Sequence, residues 1–343
     1  MELAWWIEHS PNSYNVVSHG QPDIVLTTDA SSTGWGCTLG QKRTGGYWTK
    51  EEAQHHINYL ELLAVFLALQ AFSASLMGQH VKVMIDNMTA VTDINHMGTS
   101  KSPIRNELTK SIWLWCFERD IWLTAVHIPG VENVEADHQS RLSNTSAEWS
   151  LNKDIFQDAI CRLGVTQNID LFASRINYKI KPYVSFHPDP GAIAVNAFHM
   201  SWKQFQAYIF PPFCLISRIL QKVQEEHCTV VMVAPRWPTQ VWWPKLMSLL
   251  IAHPILLPKD KTTIFLPSNP EATHPLHPHL ELMIYLLSGN PSQTKAFQQL
   301  LPTLSSNRGG KGQLNNIDLT FKNGNFTVMR GKLIQFTLLY QTE

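Results

Sequence analysis

A chain of 343 residues, 44% hydrophobic and 16% charged, can bury ordinary cores and has room for two domains plus connecting sequence. The opening MELAWWIEHS lacks the basic start and apolar run of a secretory leader, and no later stretch offers about 18 uncharged apolar residues, so no membrane partner is expected. The net charge of zero hides an asymmetry: residues 1–145 hold 9 Lys+Arg against 15 Asp+Glu and the remainder 18 against 12, so the first part is acidic and lacks the cationic footprint that supplies most nucleic-acid affinity.

The five cysteines, Cys37, Cys116, Cys161, Cys214 and Cys228, form an odd set with no CxxC pair. This argues against a disulfide framework and a zinc site and for a reducing, intracellular compartment, cytoplasmic or nuclear.

In chain order, 24–29 (IVLTTD), 34–40 (GWGCTLG) and 45–49 (GGYWT) are short β-rich runs separated by turn residues, which predicts a three-strand meander. From 51 to 77 the dense Leu, Ala, Val and Phe content predicts a buried helix that Gly78 stops. A buried-type strand at 81–86, a short helix near 89–96, a longer one over 102–118, a strand at 121–128 and a helix starting near Asn133 complete the unit. This order predicts a mixed sheet with an antiparallel start and later parallel crossovers.

Asp29 and Asp86 each end an apolar strand, which places their carboxylates at a sheet edge. Taken singly, such an Asp reads as a turn former. Glu61 is different: it lies inside Tyr59-Leu60-Glu61-Leu62-Leu63-Ala64-Val65, where an uncompensated charge is expensive to bury. Carboxylates meeting without bases repel and raise one another's pKa, whereas Mg²⁺ favours hard oxygen ligands, so a divalent metal is the natural occupant.

TDASSTGWGC, INYLELLAV, VMIDNMTAV and HIPGVENVEADHQSR, spanning about residues 20–143, resemble the successive ribonuclease H motifs of retroelement reverse transcriptases. The resemblance implies a ribonuclease H-like α/β fold, a mixed five-stranded sheet with flanking helices over residues 21–145, with Asp29, Glu61, Asp86 and Asp137 as ligands of two Mg²⁺ ions, or of Mn²⁺ in their place. It implies hydrolysis of the RNA strand of an RNA–DNA hybrid, and a role in proton transfer or product release for His127, ten positions before Asp137. His127 reads equally well as a strand-end residue beside the Pro129-Gly130 turn. Ser31, Asn58 and Asn87, next to the motifs, are candidate contacts to the hybrid's 2′-hydroxyls.

Beyond the polar linker SNTSAEWS at 143–150, a second α/β domain is expected over 146–289, with strand candidates at 168–172, 206–210, 229–234 and 262–266. The order of parts resembles DIRS-type retrotransposon polyproteins, in which a domain similar to phage adenine methyltransferases follows ribonuclease H, implying a Rossmann-like methyltransferase-type fold. The residues behind this are Asp170-Leu171-Phe172-Ala173-Ser174, Asn177, Phe210-Pro211-Pro212-Phe213 and VVMVAPRWPTQVWW at 230–243. In such enzymes an Asp or Asn before Pro-Pro accepts a hydrogen bond from the target amine. Phe210 stands there and cannot accept one, so a noncatalytic module is favoured, although Phe213 and Asp170 leave base or S-adenosylmethionine binding open. Pro211-Pro212 reads otherwise as a rigid loop exit, Trp237, Trp242 and Trp243 as packed aromatics, and His274, His277 and His279 as a loop.

Residues 1–20 are expected to connect to a polymerase region absent from the chain, the natural partner that would grip the hybrid. Residues 290–343, with 6 Lys+Arg against 2 Asp+Glu, are expected to be a flexible basic tail with a late hairpin. Two other functions compete: a catalytically silent nucleic-acid-binding remnant that uses the basic second half, and a DNA adenine methyltransferase.

Overall fold

The computed structural model describes residues 20–141, 148–303 and 325–340, with Ala4, Ile7, Glu8 and Ser10. Most of the expected N-terminal connection over 1–20, and the boundary at 145/146, lie outside the described residues. Contacts divide the chain into two units, Met1–Gly46 with His55–Arg141, and Tyr47–Gln54 with Leu142–Glu343. All five cysteines are free thiols. Among the described residues no helix is long and apolar enough to cross a membrane.

The first unit is α/β. Strands β1 (Ile24–Ala30), β2 (Gly34–Leu39), β3 (Lys42–Tyr47), β4 (His80–Ile85) and β5 (Trp122–His127) form a sheet of order β3-β2-β1-β4-β5. β1 runs antiparallel to β2 and parallel to β4, which runs parallel to β5. The third strand starts three residues earlier than its Gly-Tyr-Trp run suggests, with Lys42 and Arg43 exposed and Thr44 buried, charges that an edge strand accepts.

Helix α1 (Ile57–Ala71) is shorter than the expected 51–77. Residues 52–54 form a separate 3₁₀ turn, and the His56 ring accepts the Asn58 N–H at 3.2 Å, capping a fresh start. Its buried residues cover most of its circumference, so it is a core helix. Helix α2 (Met88–Asn95) is capped by Asn87, whose side-chain oxygen accepts from Thr89 and Ala90 at 3.0 and 3.1 Å. Helices α3 (Pro103–Phe117) and α4 (Val134–Arg141) follow, α3 opening on a proline whose missing N–H costs nothing there.

Helix α4 sits on glycine. A Cβ on Gly36 would lie 2.3 Å from the Ala136 carbonyl and 2.4 Å from the Ser140 nitrogen, and one on Gly45 3.0 Å from the Gln139 carbonyl. Both obstacles at Gly36 are backbone, so neither can yield.

The second unit has a six-stranded mixed sheet of order β17-β12-β14-β11-β10-β7. Strands β7 (Ile169–Asp170), β10 (Gln206–Ile209) and β11 (Thr229–Pro235) are parallel, and β14 (Leu282–Ser288) runs antiparallel to β11 and to β12 (Ile255–Leu256). Alternation along these strands feeds two cores. Ala207, Ile209, Val230 and Met232 meet helices α6 (Ile216–Glu226) and α7 (Trp243–Ser248), whereas Tyr208, Val231 and Val233 meet α5 (Lys153–Leu163) on the other face.

Two expectations change here. The strand expected at 262–266 is β13 (Ile264–Phe265), which pairs outside the main sheet with β6 (Ser150–Leu151). The 290–343 segment is not a loose tail over its described part. It contains helix α8 (Pro291–Leu300), a hairpin of β15 (Phe326–Met329) and β16 (Lys332–Gln335), and β17 (Thr337–Leu338), which adds a parallel edge strand to β12. Ile334 and Phe336 are buried in the core, which outweighs the local basic composition.

The remaining strands, β8 (Val184–Ser185) and β9 (Ala194–Val195), pair in parallel. Residues 47–54 join this unit through Arg175, whose guanidinium forks onto Glu52 at 2.7 and 3.0 Å and donates to the Tyr47 carbonyl at 2.9 Å.

Gly36→Ala is expected to lift α4 and destabilise the first unit by about 1–3 kcal/mol. Thermal unfolding measures this; a midpoint equal to wild type would contradict the glycine seat.

Candidate metal centre

Register brings the first two acids together. Thr28 is level with Ile85 in the parallel β1–β4 pair, so Asp29 and Asp86, each one residue further, stand side by side at the same sheet edge. Helix α1 packs over this edge and delivers Glu61, 4% exposed, from its buried face. Ligand oxygens of Asp29, Glu61 and Asp86 all lie within 4.8 Å of one another. A side chain at Gly130 would come within 3.3 Å of Asp86 Oδ2, so the Pro129-Gly130 turn closes against the site because residue 130 has none.

Burial is the main cause of the raised carboxyl pKa values. Glu61 is pushed up to about 9 by burial, then by Asp29 and Asp86, with a backbone hydrogen bond from Ala30 opposing. Asp29 is raised by burial, offset in part by the Ser140 hydroxyl, with Asp86 and Asp137 adding. Asp86 is raised by burial, with His127 opposing and Asp137 adding. Among the described residues Glu61 Oε2 has no hydrogen-bond partner. An orphaned buried carboxylate oxygen that faces two other acids is what a divalent cation satisfies, and an all-oxygen donor set suits Mg²⁺ or Mn²⁺. The residues therefore fit such an ion.

Asp137 stands apart from this triad. Its Oδ1 accepts from Arg141 at 2.7 Å (Nε) and 2.6 Å (Nη2), a pairing of residues one helical turn apart. His127, whose charge acts on Asp86, is level with Ile85 on β5.

The proposed hybrid contacts are engaged internally. Asn87 Nδ2 donates to Asn58 Oδ1 at 3.0 Å. The Ser31 hydroxyl accepts from the Gly34 N–H at 3.1 Å and donates to the Ser140 carbonyl at 2.9 Å.

Three residues were not singled out from sequence: Asn133, Ser140 and Arg141. Asn133 Nδ2 donates to the Thr28 carbonyl at 3.0 Å and to Asp29 Oδ1 at 3.3 Å, and Ser140 Oγ donates to Asp29 Oδ2 at 2.7 Å. Their signal was spacing: Ser140 and Arg141 lie three and four after Asp137 on its helical face, and Asn133 lies four before it, just ahead of the helix.

Residues 21–106 match the family model for the RNase H-like domain found in reverse transcriptase. That match takes in Asp29, Glu61 and Asp86. Among solved structures, RNase H1 from the halophilic archaeon Halobacterium salinarum NRC-1 aligns at 16% identity over 34% of this chain and 92% of its own, TM-score 0.29. LC11-RNase H1, solved in complex with an RNA/DNA hybrid, aligns at 22% identity over 34% and 93%, TM-score 0.29. The foamy viral protease-reverse transcriptase, also solved with an RNA/DNA hybrid, aligns at 17% identity over 38% of this chain and 22% of its own, TM-score 0.25. No curated protein sequence matches the chain.

In the second unit the expected methyltransferase-like loop is largely closed on itself. Asp170, 2% exposed, accepts the Lys179 N–H at 2.9 Å and the Phe172 N–H at 3.4 Å. Burial raises its carboxyl to about 7, and those two N–H groups oppose the rise. Asn177 Oδ1 accepts the Ser174 N–H at 2.7 Å. Pro211 is buried, Phe210 packs on one core, and the Phe213 ring meets Trp237 edge-on at 5.3 Å. Trp242 and Trp243 are buried in the core, and His274 rests against Trp149 at 4.7 Å.

A carboxyl whose folded pKa is raised contributes stability that is fully present below its unfolded pKa and lost as pH climbs through the folded one. For Glu61 without metal that loss runs from about 4.5 to about 9. Glu61→Gln cannot ionise, so with a chelator present its midpoint should gain on wild type progressively from pH 5 to pH 9. A difference that stays constant with pH would contradict the burial of the Glu61 carboxyl.

Proposed function

We propose that the first unit is a divalent-metal-dependent nuclease that hydrolyses the RNA strand of RNA–DNA hybrids within a retroelement reverse-transcription apparatus. The observation that carries this is the convergence of Asp29, Glu61 and Asp86 within 4.8 Å, in a segment matching the RNase H-like domain found in reverse transcriptase. Two Mg²⁺ ions, or Mn²⁺, would supply an activated water and stabilisation of the leaving 3′ oxygen.

The chain's own residues hold and orient. Asp29, Glu61 and Asp86 form the ligand core, and Asp137, once free of Arg141, completes it. His127 acts beside Asp86 in proton transfer or product release. Asn58, Asn87 and Ser31, which border the acids, take the 2′-hydroxyls of the RNA strand. An acidic unit does not attract a phosphate backbone by itself, so hybrid affinity depends on metal and on a basic partner, for which we propose the polymerase region of the same retroelement.

Labelled RNA–DNA hybrid with Mg²⁺ tests this reading. Wild type should cut the RNA strand, and Asp86→Asn should fall to the metal-free background. Cleavage unaffected by that substitution, or cleavage of the DNA strand, would contradict it.

For the second unit we infer a noncatalytic module of the methyltransferase type. Phe210 in place of a hydrogen-bond acceptor and the engagement of Asp170 by its own loop support this. Incubation with labelled S-adenosylmethionine and adenine-containing DNA should transfer no methyl group; transfer abolished by Asp170→Asn would overturn the assignment.

A further inference from the structure

Asp29 is held from behind at both oxygens. Asn133 Nδ2 reaches Oδ1 at 3.3 Å and Ser140 Oγ reaches Oδ2 at 2.7 Å, and both donors are buried. Each carboxylate oxygen has two lone pairs, so one donor per oxygen fixes the plane of the group and leaves an outward lone pair on each.

The two donors differ in how firmly they are placed. Asn133 also grips the Thr28 carbonyl at 3.0 Å, which ties it to the same strand as Asp29. Ser140 comes from α4, whose height over β2 is set by Gly36, where a Cβ would lie only 2.4 Å from the Ser140 nitrogen. Its carbonyl is anchored by the Ser31 hydroxyl at 2.9 Å. Helix seat, serine and aspartate thus form one chain of contacts.

Ser140 has a single hydroxyl proton and two acceptors in reach, Asp29 Oδ2 at 2.7 Å and the Asp137 carbonyl at 2.9 Å. The shorter contact goes to an acid beside two other acids, where a donor is worth most. The alternative is a helix carbonyl one turn back, a common serine contact that needs no aspartate.

From this we propose that Ser140 is a positioning residue for the metal centre: its hydroxyl holds the Asp29 carboxylate in the orientation that presents both oxygens to divalent metal. Ser140 touches neither metal nor substrate and works through Asp29. The proposal rests on the metal-centre reading of the first unit. Hydrogen-bond partners of metal-ligating carboxylates typically set affinity by about 10–100-fold.

Mn²⁺ titration of the full chain, followed by calorimetry and by the electron paramagnetic resonance of bound Mn²⁺, separates the two claims. Wild type should bind, Ser140→Ala should bind at least about tenfold more weakly, and Ser140→Thr, which keeps the hydroxyl, should restore most of the loss. In an Asp29→Asn background, titrated at millimolar Mn²⁺, Ser140→Ala should cost little more, because the group it orients has changed. Equal affinity of wild type and Ser140→Ala, or the full penalty persisting with Asp29→Asn, overturns the positioning role and leaves the metal centre standing. No binding by wild type overturns both.

Discussion

Asp29, Glu61 and Asp86 face one another inside 4.8 Å, with burial opposing the charge on each, and the charges acting on Glu61 are those of Asp29 and Asp86. Such a cluster carries an electrostatic cost that local packing does not offset. Several features of the first unit serve to keep it assembled. The parallel register of β1 and β4 brings two acids level, a helix buried on most of its surface fixes the third, and glycines at 36 and 45 let α4 settle onto β2. Three acids held within 4.8 Å of one another at this cost could hold a divalent cation, which would convert mutual repulsion into shared ligation.

The first unit was legible where periodicity and punctuation agree. The meander, the buried helix and the alternating strands and helices all stand close to their expected places, and the repeated strand-end aspartate correctly implied that Asp29 and Asp86 meet. What could not be read was placement between elements. Asp137 follows the same motif pattern as the other acids, yet it stands outside the triad and pairs with Arg141, one turn along the same helix. Ser140 and Asn133 are marked in the sequence only by their spacing from Asp137, and nothing in that spacing tells that a glycine seat will bury Ser140 against an aspartate.

The second unit was harder for a physical reason. β14 is buried at all seven positions, so it has no polar alternation to mark it as a strand, and only its antiparallel pairing with β11 and β12 reveals it as central. The C-terminal segment looked too polar and basic to order, but a few well-spaced apolar residues suffice once a sheet edge is available to pair with. Asp170 illustrates the opposite limit. Its motif was visible, and its use was not: a buried carboxylate that accepts two N–H groups of its own loop is a brace as much as it is a candidate ligand.

We propose that the triad of the first unit is a divalent-metal site. Anomalous diffraction from crystals grown with Mn²⁺ tests it directly. Anomalous peaks bonded to carboxylate oxygens of Asp29, Glu61 and Asp86 are expected, with Asp137 drawn in from Arg141. Absence of manganese at the triad at saturating concentration, with the three carboxylates still within 4.8 Å of one another, would contradict it.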